Sequence, residues 1–173
     1  MNTADLFPDT IPALSKNDLR LPAISLWHPW ASLLYVARAK AHETRGYAYG
    51  ARLAGKTILI HASKTRAGVT NMDPDLEALC LARFGEGWKN ALPYGAFLGK
   101  ARLDGCYPTD LLGKPQLRIT PEDELCGNWG PGRYAWRMRQ REAFKDPIPA
   151  IGQRGWWTAV IPRDVPIARV LGD

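Results

Sequence analysis

The sequence predicts an α+β fold, a small β-barrel of about five to six mostly antiparallel strands with two to three flanking helices. Short segments of alternating apolar and polar residues recur along the chain and are separated by turn residues, as in small barrels. Only two segments have strong helical periodicity. The 14 prolines and 16 glycines among 173 residues also favour short elements over long helices.

Five segments are predicted to be strands. In residues 133–139, three apolar side chains alternate with Arg137 and Arg139, so the apolar and basic side chains are expected on opposite faces. Residues 58–62 form a β-branched and apolar run that is typical of a buried strand. The remaining predicted strands are residues 23–27, 94–103 and 155–161.

Helix start and stop signals predict the helices. Residues 74–84 are bracketed by an Asp-Pro start and a glycine stop, which predicts a helix over this range. A second helix is expected from Pro29 to about residues 38–39, with an apolar face that includes Trp30 and Ala37. Residues 120–123, Thr-Pro-Glu-Asp, predict the start of a third, short helix.

The chain is expected to be one domain, residues 23–173, preceded by an N-terminal arm, residues 1–22. No apolar run approaches the roughly 18 residues of a membrane span, and the first residues do not show the basic region followed by an apolar core that is typical of a signal sequence. The three cysteines have no C-x-x-C spacing, which argues against a disulfide framework and a structural zinc site. We therefore expect a cytoplasmic protein without a metal, a cofactor or a membrane partner.

Charge favours a polyanionic partner. The net charge is +6 and the isoelectric point is near 9.4, values that are typical of nucleic-acid-binding proteins. The alternative is that this charge only keeps the protein soluble. Residues 50–57 fit the phosphate-binding pattern G-x-x-x-x-G-K-[ST]. A strand rather than the required helix is expected after Thr57, so no nucleoside triphosphate is predicted to bind.

Residues 23–64 place polar groups at the ends of buried elements, where sites are usually built. The polar groups form a Trp-His-Pro-Trp corner at residues 27–30, a Lys-x-x-Glu-x-Arg cluster at residues 40–45 and a His-Ala-Ser-Lys end at residues 61–64. The rest of the chain is predicted to be organised around this stretch.

Lys40, Glu43 and Arg45 form the first candidate site. On a regular strand Glu43 and Arg45 share a face that Lys40 does not, so their convergence requires a bend near residues 41–42. A lysine that acts as base or nucleophile needs a lowered pKa, which a neighbouring carboxylate opposes. The cluster therefore suits recognition of an anion or a base, and a purely structural Glu43–Arg45 ion pair is the alternative.

Aromatic and basic residues supply further candidates. Trp27 and His28 could stack on a base or belong to the core, whereas Trp30 is expected in the core. Ser63 and Lys64 could contact phosphate, or act as a hydroxyl–amine pair in hydrolysis, and His61 is expected to be structural.

Two later segments each permit two interpretations. Asn128 could read a base edge while Trp129 stacks, or the loop is a surface turn with a tucked tryptophan. Arg137 and Arg139 could form a phosphate-contacting stripe or a solvated sheet face.

The motifs at these positions resemble the ASCH family, the activating-signal-cointegrator homology domains of the PUA-like superfamily. The resemblance is carried by ISLWHPWA at residues 24–31, K-x-x-E-x-R at residues 40–45, IHASK at residues 60–64 and GRYAW at residues 132–136. Two positions depart from the family pattern, since Arg38 replaces a usual glycine and His28 a usual glutamine.

This resemblance implies a PUA-like β-barrel that binds RNA or other nucleic acid in a cleft beside the barrel. One bacterial branch hydrolyses the acetyl amide of N4-acetylcytidine with a lysine, a threonine and a glutamate, and RNA cleavage is attributed to other members. Lys40 takes the lysine position, but Glu43 occupies the threonine position, so that trio is not reproduced.

The predicted function is binding of RNA or single-stranded nucleic acid in a cationic cleft that accommodates a base. The alternative is a metal-independent hydrolase, acting on RNA or a modified nucleoside, with Lys40 and Glu43 as catalytic residues. The residues predicted to bind nucleic acid are Trp27, His28, Arg45, Tyr47, Ser63, Lys64, Asn128, Trp129, Arg137 and Arg139.

Overall fold

A seven-stranded, mostly antiparallel sheet dominates the computed structural model, which describes residues 15–171. The strands are β1 (Asp18–Leu26), β2 (His42–Arg45), β3 (Thr57–Ala62), β4 (Ala96–Pro108), β5 (Tyr134–Pro149), β6 (Trp156–Pro162) and β7 (Ile167–Leu171). The α-helices are α1 (Trp30–Leu33), α2 (Pro74–Phe84), α3 (Trp88–Ala91) and α4 (Pro121–Leu125). Short 3-10 segments cover Tyr49–Leu53, Ala67–Val69 and Thr109–Leu111.

The strand order is β2-β5-β4-β3-β1-β6, with β7 paired to β5. Among the strands of residues 15–171, only β1 and β3 pair in parallel, and the other strand pairs are antiparallel. The predicted α+β class and mostly antiparallel sheet are therefore confirmed, with seven strands in place of five or six. Within residues 15–171 no pairing joins β2 to β6, so closure into a barrel stays a prediction.

The strand β3 lies between two apolar clusters. Ile58 and Ile60 pack with Trp136 and other residues on one face, while Leu59 packs in a second cluster on the other face. A strand that is covered on both faces reads as a continuous apolar run. The predicted buried strand at residues 58–62 is confirmed.

The helix α2 begins and ends where its sequence signals predict. The side chain of Asp73 accepts hydrogen bonds from the backbone N–H groups of Asp75 and Leu76, at 2.9 and 3.2 Å. Gly85 then takes a positive φ of 82°, which glycine adopts at little cost. Local sequence signals therefore set both ends of this helix.

The helix α1 is shorter than predicted. It ends at Leu33, the chain continues in turns, and Ala37 is exposed rather than part of an apolar face. Arg38 has a φ of +58°, a left-handed conformation that no α-helix contains. The predicted end near residues 38–39 is wrong, because the chain after Leu33 forms i+3 turns, such as Tyr35 N–H to Ser32 O and Val36 N–H to Leu33 O, before it reaches Arg38.

Other boundaries also differ from the prediction. Residues 18–22, assigned to the arm, form the first part of β1, and residues 1–14 of the arm lie outside the described residues. The strand β5 continues past residue 139 to Pro149, and β7 was not predicted. Thr57 begins β3, as expected for a strand after the phosphate-loop pattern.

Two further observations concern membrane spans and cysteines. No helix in the described part of the chain is both long and apolar enough to cross a membrane. Cys80, Cys106 and Cys126 are all free thiols.

Candidate functional site

Three neighbouring cavities meet at Trp27, the residue that directly follows β1. Their volumes are about 490, 660 and 220 Å³, and Trp27 lines all three. The indole is 51% exposed, which is unusual for a large aromatic residue beside a buried strand. We call this surface the Trp27 groove; its principal lining residues are Trp27, Trp30, Glu43, Arg45, Lys64 and Asn128.

The 3-10 segment Ala67–Val69 forms one wall of the groove. A Cβ atom at Gly68 would collide with the carbonyl oxygen of His28 and lie 2.8 Å from the Trp30 ring. Because only glycine permits this close approach, the segment can pack directly against the Trp-His-Pro-Trp corner. The corner therefore holds Trp30 half-buried while Trp27 remains exposed.

Lys40, Glu43 and Arg45 converge at the Trp27 groove, as the site prediction requires. Lys40 is 1% exposed, and its Nζ lies 3.1 Å from Glu43 Oε2. The other carboxylate oxygen, Oε1, lies 2.9 Å from Arg45 Nη2. The carboxylate is thus held between two cations, and the structural ion pair and the candidate site are the same cluster.

The hydrogen bonds of Lys40 occupy its whole ammonium group. Besides the Glu43 pair, Nζ donates to the carbonyl oxygens of His42 and Cys126, at 2.5 and 3.3 Å. A lysine ammonium has three N–H donors, and three acceptors surround it. This geometry suits a fixed cation that positions Glu43.

A buried His42–Asp123 pair holds the backbone next to Lys40. Asp123 Oδ2 lies 2.5 Å from His42 Nδ1, and Oδ1 accepts hydrogen bonds from the N–H groups of Ala41 and His42 at 2.9 and 3.1 Å. Burial raises the pKa of Asp123, but the hydrogen bonds from His42 and Ala41, together with nearby Lys40, lower it below its usual value. The helix α4 therefore anchors residues 41–42.

Positive charge is concentrated on one side of the Trp27 groove. Arg45, Lys64 and Arg154 line the cavity of about 660 Å³, and Lys64 and Arg154 are exposed. Glu43 lines the other two cavities. Beside Trp27 the groove thus holds the Glu43–Arg45 ion pair, and the cavity of about 660 Å³ adds the exposed cations Lys64 and Arg154.

No protein-family model matches the chain, and no curated protein sequence is significantly similar to it. The functional interpretation therefore depends on the residues of this chain and their geometry.

The structure brings most of the predicted site residues together. Trp27, Glu43, Arg45, Ser63, Lys64 and Asn128 all line the Trp27 groove. Lys40 lies beneath it and reaches it only through Glu43. The other predicted residues lie elsewhere.

His28 points into the protein and does not lie at the groove mouth. It is 1% exposed, with Nε2 3.2 Å from the Pro93 carbonyl and Nδ1 3.2 Å from Ser32 Oγ. Burial lowers its pKa to about 4, against a smaller opposing effect of the Pro93 carbonyl. His28 thus joins two segments of the interior, which removes it from the predicted binding surface.

Trp129 and Tyr47 also lie outside the groove lining. Trp129 Nε1 donates to the Glu124 carbonyl at 2.8 Å, and its ring packs edge-on against His42, which matches the alternative of a tucked tryptophan. Tyr47 is 44% exposed, but its ring contacts the edge of Trp136 rather than any of the three cavities.

Arg137 and Arg139 share a strand face, as predicted, but this face is not part of the groove. Arg137 Nη2 lies 2.7 Å from Asp104 Oδ2, and Arg139 Nε lies 3.4 Å from the same oxygen. The Arg137 guanidinium also stacks over the Tyr107 ring. Asp104 partly neutralises the predicted phosphate stripe.

Sequence reasoning missed Arg154, Thr44 and Gly68, which line the Trp27 groove. Arg154 lies in the exposed loop Ile151-Gly-Gln-Arg-Gly between β5 and β6. A basic residue between two glycines was a visible signal for a ligand-contacting loop. Thr44 and Gly68 carried no comparable signal.

Proposed function

We propose that the chain is an ASCH domain with a PUA-like barrel that binds RNA or single-stranded nucleic acid in the Trp27 groove. The observation that carries this proposal is the position of Trp27, which is exposed at the meeting point of three cavities. Glu43 and its ion-pair partner Arg45 line one of these cavities, and Arg45, Lys64 and Arg154 line another.

Trp27 provides the stacking surface. Trp27 directly follows the strand β1, which holds its backbone in place, and its indole is exposed to solvent. Proteins that bind single strands stack bases on aromatic side chains of this kind. Base stacking on an aromatic side chain contributes roughly 1–3 kcal/mol. We therefore assign the base of one nucleotide to this residue.

Glu43 supplies acceptors for the edge of that base. Each carboxylate oxygen has two lone-pair positions, and Lys40 and Arg45 use one position on each oxygen. The two remaining positions suit the N–H donors of a base edge. Asn128 lines the same cavity as Glu43 and adds an amide that can both donate and accept.

The phosphate groups of the bound strand would contact the cations Arg45, Lys64 and Arg154. Phosphate contacts supply most of the sequence-independent affinity of nucleic-acid binding. These cations lie beside the stacking residue in one cavity, so a strand whose base stacks on Trp27 would place its backbone near them.

The geometry of Lys40 favours binding over hydrolysis. A nucleophilic or basic amine needs an accessible lone pair, whereas Lys40 is buried and donates toward three acceptors. Turnover of N4-acetylcytidine or of labelled single-stranded RNA, measured with chelator present, would instead support the hydrolase alternative.

Substitution of Trp27 tests the proposed function. Trp27→Ala should weaken the binding of a labelled single-stranded RNA about tenfold, because a stacking contact of about 1.4 kcal/mol is lost. Fluorescence anisotropy measures the affinity. The thermal unfolding midpoint should change little, since half of the side chain is already in solvent.

Tyr49→Ala provides the matched control. Tyr49 is an exposed aromatic residue that lines none of the three groove cavities, so its loss should leave the affinity unchanged. Equal affinities of the wild type and Trp27→Ala would overturn the proposed function.

A further inference from the structure

A separate cavity, of about 280 Å³, lies next to Lys40. It is lined by residues 38–42 and 118–120, by Asp123 and by Arg141. It shares no lining residue with the three cavities of the Trp27 groove. Nothing in the proposed function uses this cavity.

Guanidinium groups dominate the charge of this cavity. Arg38, Arg118 and Arg141 all line it. The one carboxylate, that of Asp123, already accepts hydrogen bonds from His42 and from two backbone N–H groups. The charge of Lys40 is paired with Glu43 on the groove side. The cavity therefore keeps a net positive potential.

Arg141 forms a fixed part of the cavity. It is 6% exposed, and its Nη1 donates to the carbonyl oxygens of Leu34 and Lys40. A buried charge is costly unless its surroundings compensate it. These carbonyl contacts orient the guanidinium, so part of the anion-attracting charge is preorganised.

Arg38, which lines this cavity, has an unfavourable backbone conformation. Its φ is +58°, a region that costs non-glycine residues roughly 1 kcal/mol or more, and its side chain is exposed. Glycine would relieve this cost, but it would also remove the guanidinium. A strained residue of this kind is a pointer to function.

We propose that this cavity binds a phosphate group, with Arg38 and Arg118 as the ligating side chains and Arg141 as the fixed charge behind them. Guanidinium groups match phosphate oxygens in charge and in paired hydrogen-bond geometry. The side chain of Thr120, at the rim, adds a hydroxyl group. This site is independent of the Trp27 groove and of the function proposed for it.

Calorimetric titration of the full chain with inorganic pyrophosphate, at matched ionic strength, tests the proposal. We expect saturable binding to one site. Arg38→Gly and Arg118→Ala should each weaken it about tenfold, because a charge-assisted hydrogen bond is lost. Arg83→Ala, which removes an exposed charge outside the cavity, should leave it unchanged.

Arg38→Gly separates a binding role from a structural one. Since glycine suits a positive φ, the thermal unfolding midpoint of this variant should not fall, so weaker binding cannot be attributed to unfolding. Absence of saturable binding by the wild type, or unchanged binding by Arg38→Gly, would overturn the proposal.

The source of the phosphate group is tested with oligonucleotides of one sequence that carry either a 5′-phosphate or a 5′-hydroxyl. A preference for the phosphorylated strand that disappears in Arg38→Gly assigns the site to a nucleic-acid terminus. Equal affinities for the two strands, with pyrophosphate binding retained, assign it to a free phosphate compound.

Discussion

At the scale of single residues, His28 links the stability of the fold to pH. Its pKa in the folded protein is about 4, below its usual value of 6.5, so the unfolded chain binds a proton more readily between these values. The free energy of unfolding should therefore fall by about 2 kcal/mol between about pH 7 and about pH 5. Urea unfolding at the two pH values measures this loss.

His28→Gln should remove most of this pH dependence, since glutamine can occupy a similar place without titrating. The pKa of His61 is also lowered, chiefly by burial, so a smaller loss in the same direction should persist. An acid sensitivity that is identical in the wild type and the variant would show that His28 is not its source.

The cluster at residues 40–45 was predictable from the sequence only in part. Convergence of Lys40, Glu43 and Arg45 was predicted to require a bend or a loop near residues 41–42, and the three side chains do converge. The contact that holds residues 41–42 was not predictable, because Asp123 is 81 residues away from His42. A contact of this kind depends on where the fold places α4.

At the scale of elements, the exposed loop at residues 151–155 borders the cationic side of the Trp27 groove. A Cβ atom at Gly152 would lie 2.5 Å from His61 Nδ1 and 2.7 Å from Ser25 Oγ, so Gly152→Ala must displace the loop or the buried histidine. We expect a loss of about 1–3 kcal/mol in the free energy of unfolding, together with weaker RNA binding as Arg154 moves.

Gly46→Ala is the matched control for this loop. The nearest atom to a Cβ at Gly46 is Arg133 Nη1, at 4.0 Å, and its φ is not in the left-handed region. Urea unfolding and fluorescence anisotropy of both variants give the comparison. If Gly152→Ala were as stable and bound RNA as well as Gly46→Ala, the close packing of the loop would have no role in shaping the groove.

Helices and strands were predictable where signals within their own sequence mark them. The helix α2 has its own cap and stop signals, and the strand β3 has an apolar run that matches burial on both faces. The helix α1 was overestimated because hydrophobic spacing does not distinguish a continuing α-helix from the i+3 turns that follow Leu33. The strand β7 was missed, since its five residues are mostly exposed and their pairing with β5 is a tertiary event.

At the scale of the whole molecule, the chain carries a net charge of +6. Some of its cations are paired with carboxylates, whereas others lie exposed beside Trp27. Asp104 engages Arg137 and Arg139, and Glu142 engages Lys100. Lys64 and Arg154 lie exposed beside Trp27. Net charge alone predicted a polyanionic partner, but only the strand register shows which cations are neutralised by neighbours.

This distribution predicts how binding responds to salt. Contacts of Arg45, Lys64 and Arg154 with about three phosphates should give a slope near −2 in a plot of log affinity against log salt concentration. Affinity for single-stranded RNA should then fall roughly fifteenfold to twentyfold between about 50 mM and about 200 mM salt. Lys64→Ala and Arg154→Ala should each make the slope shallower by about 0.7.

Arg137→Ala distinguishes this prediction from a general effect of positive charge. It removes the same formal charge from the chain, but from a guanidinium that lines none of the three groove cavities and is paired with Asp104, so the slope should stay near −2. A slope that changed equally in all three variants would place the phosphate contacts across the whole basic surface. In that case the Trp27 groove would not direct the strand.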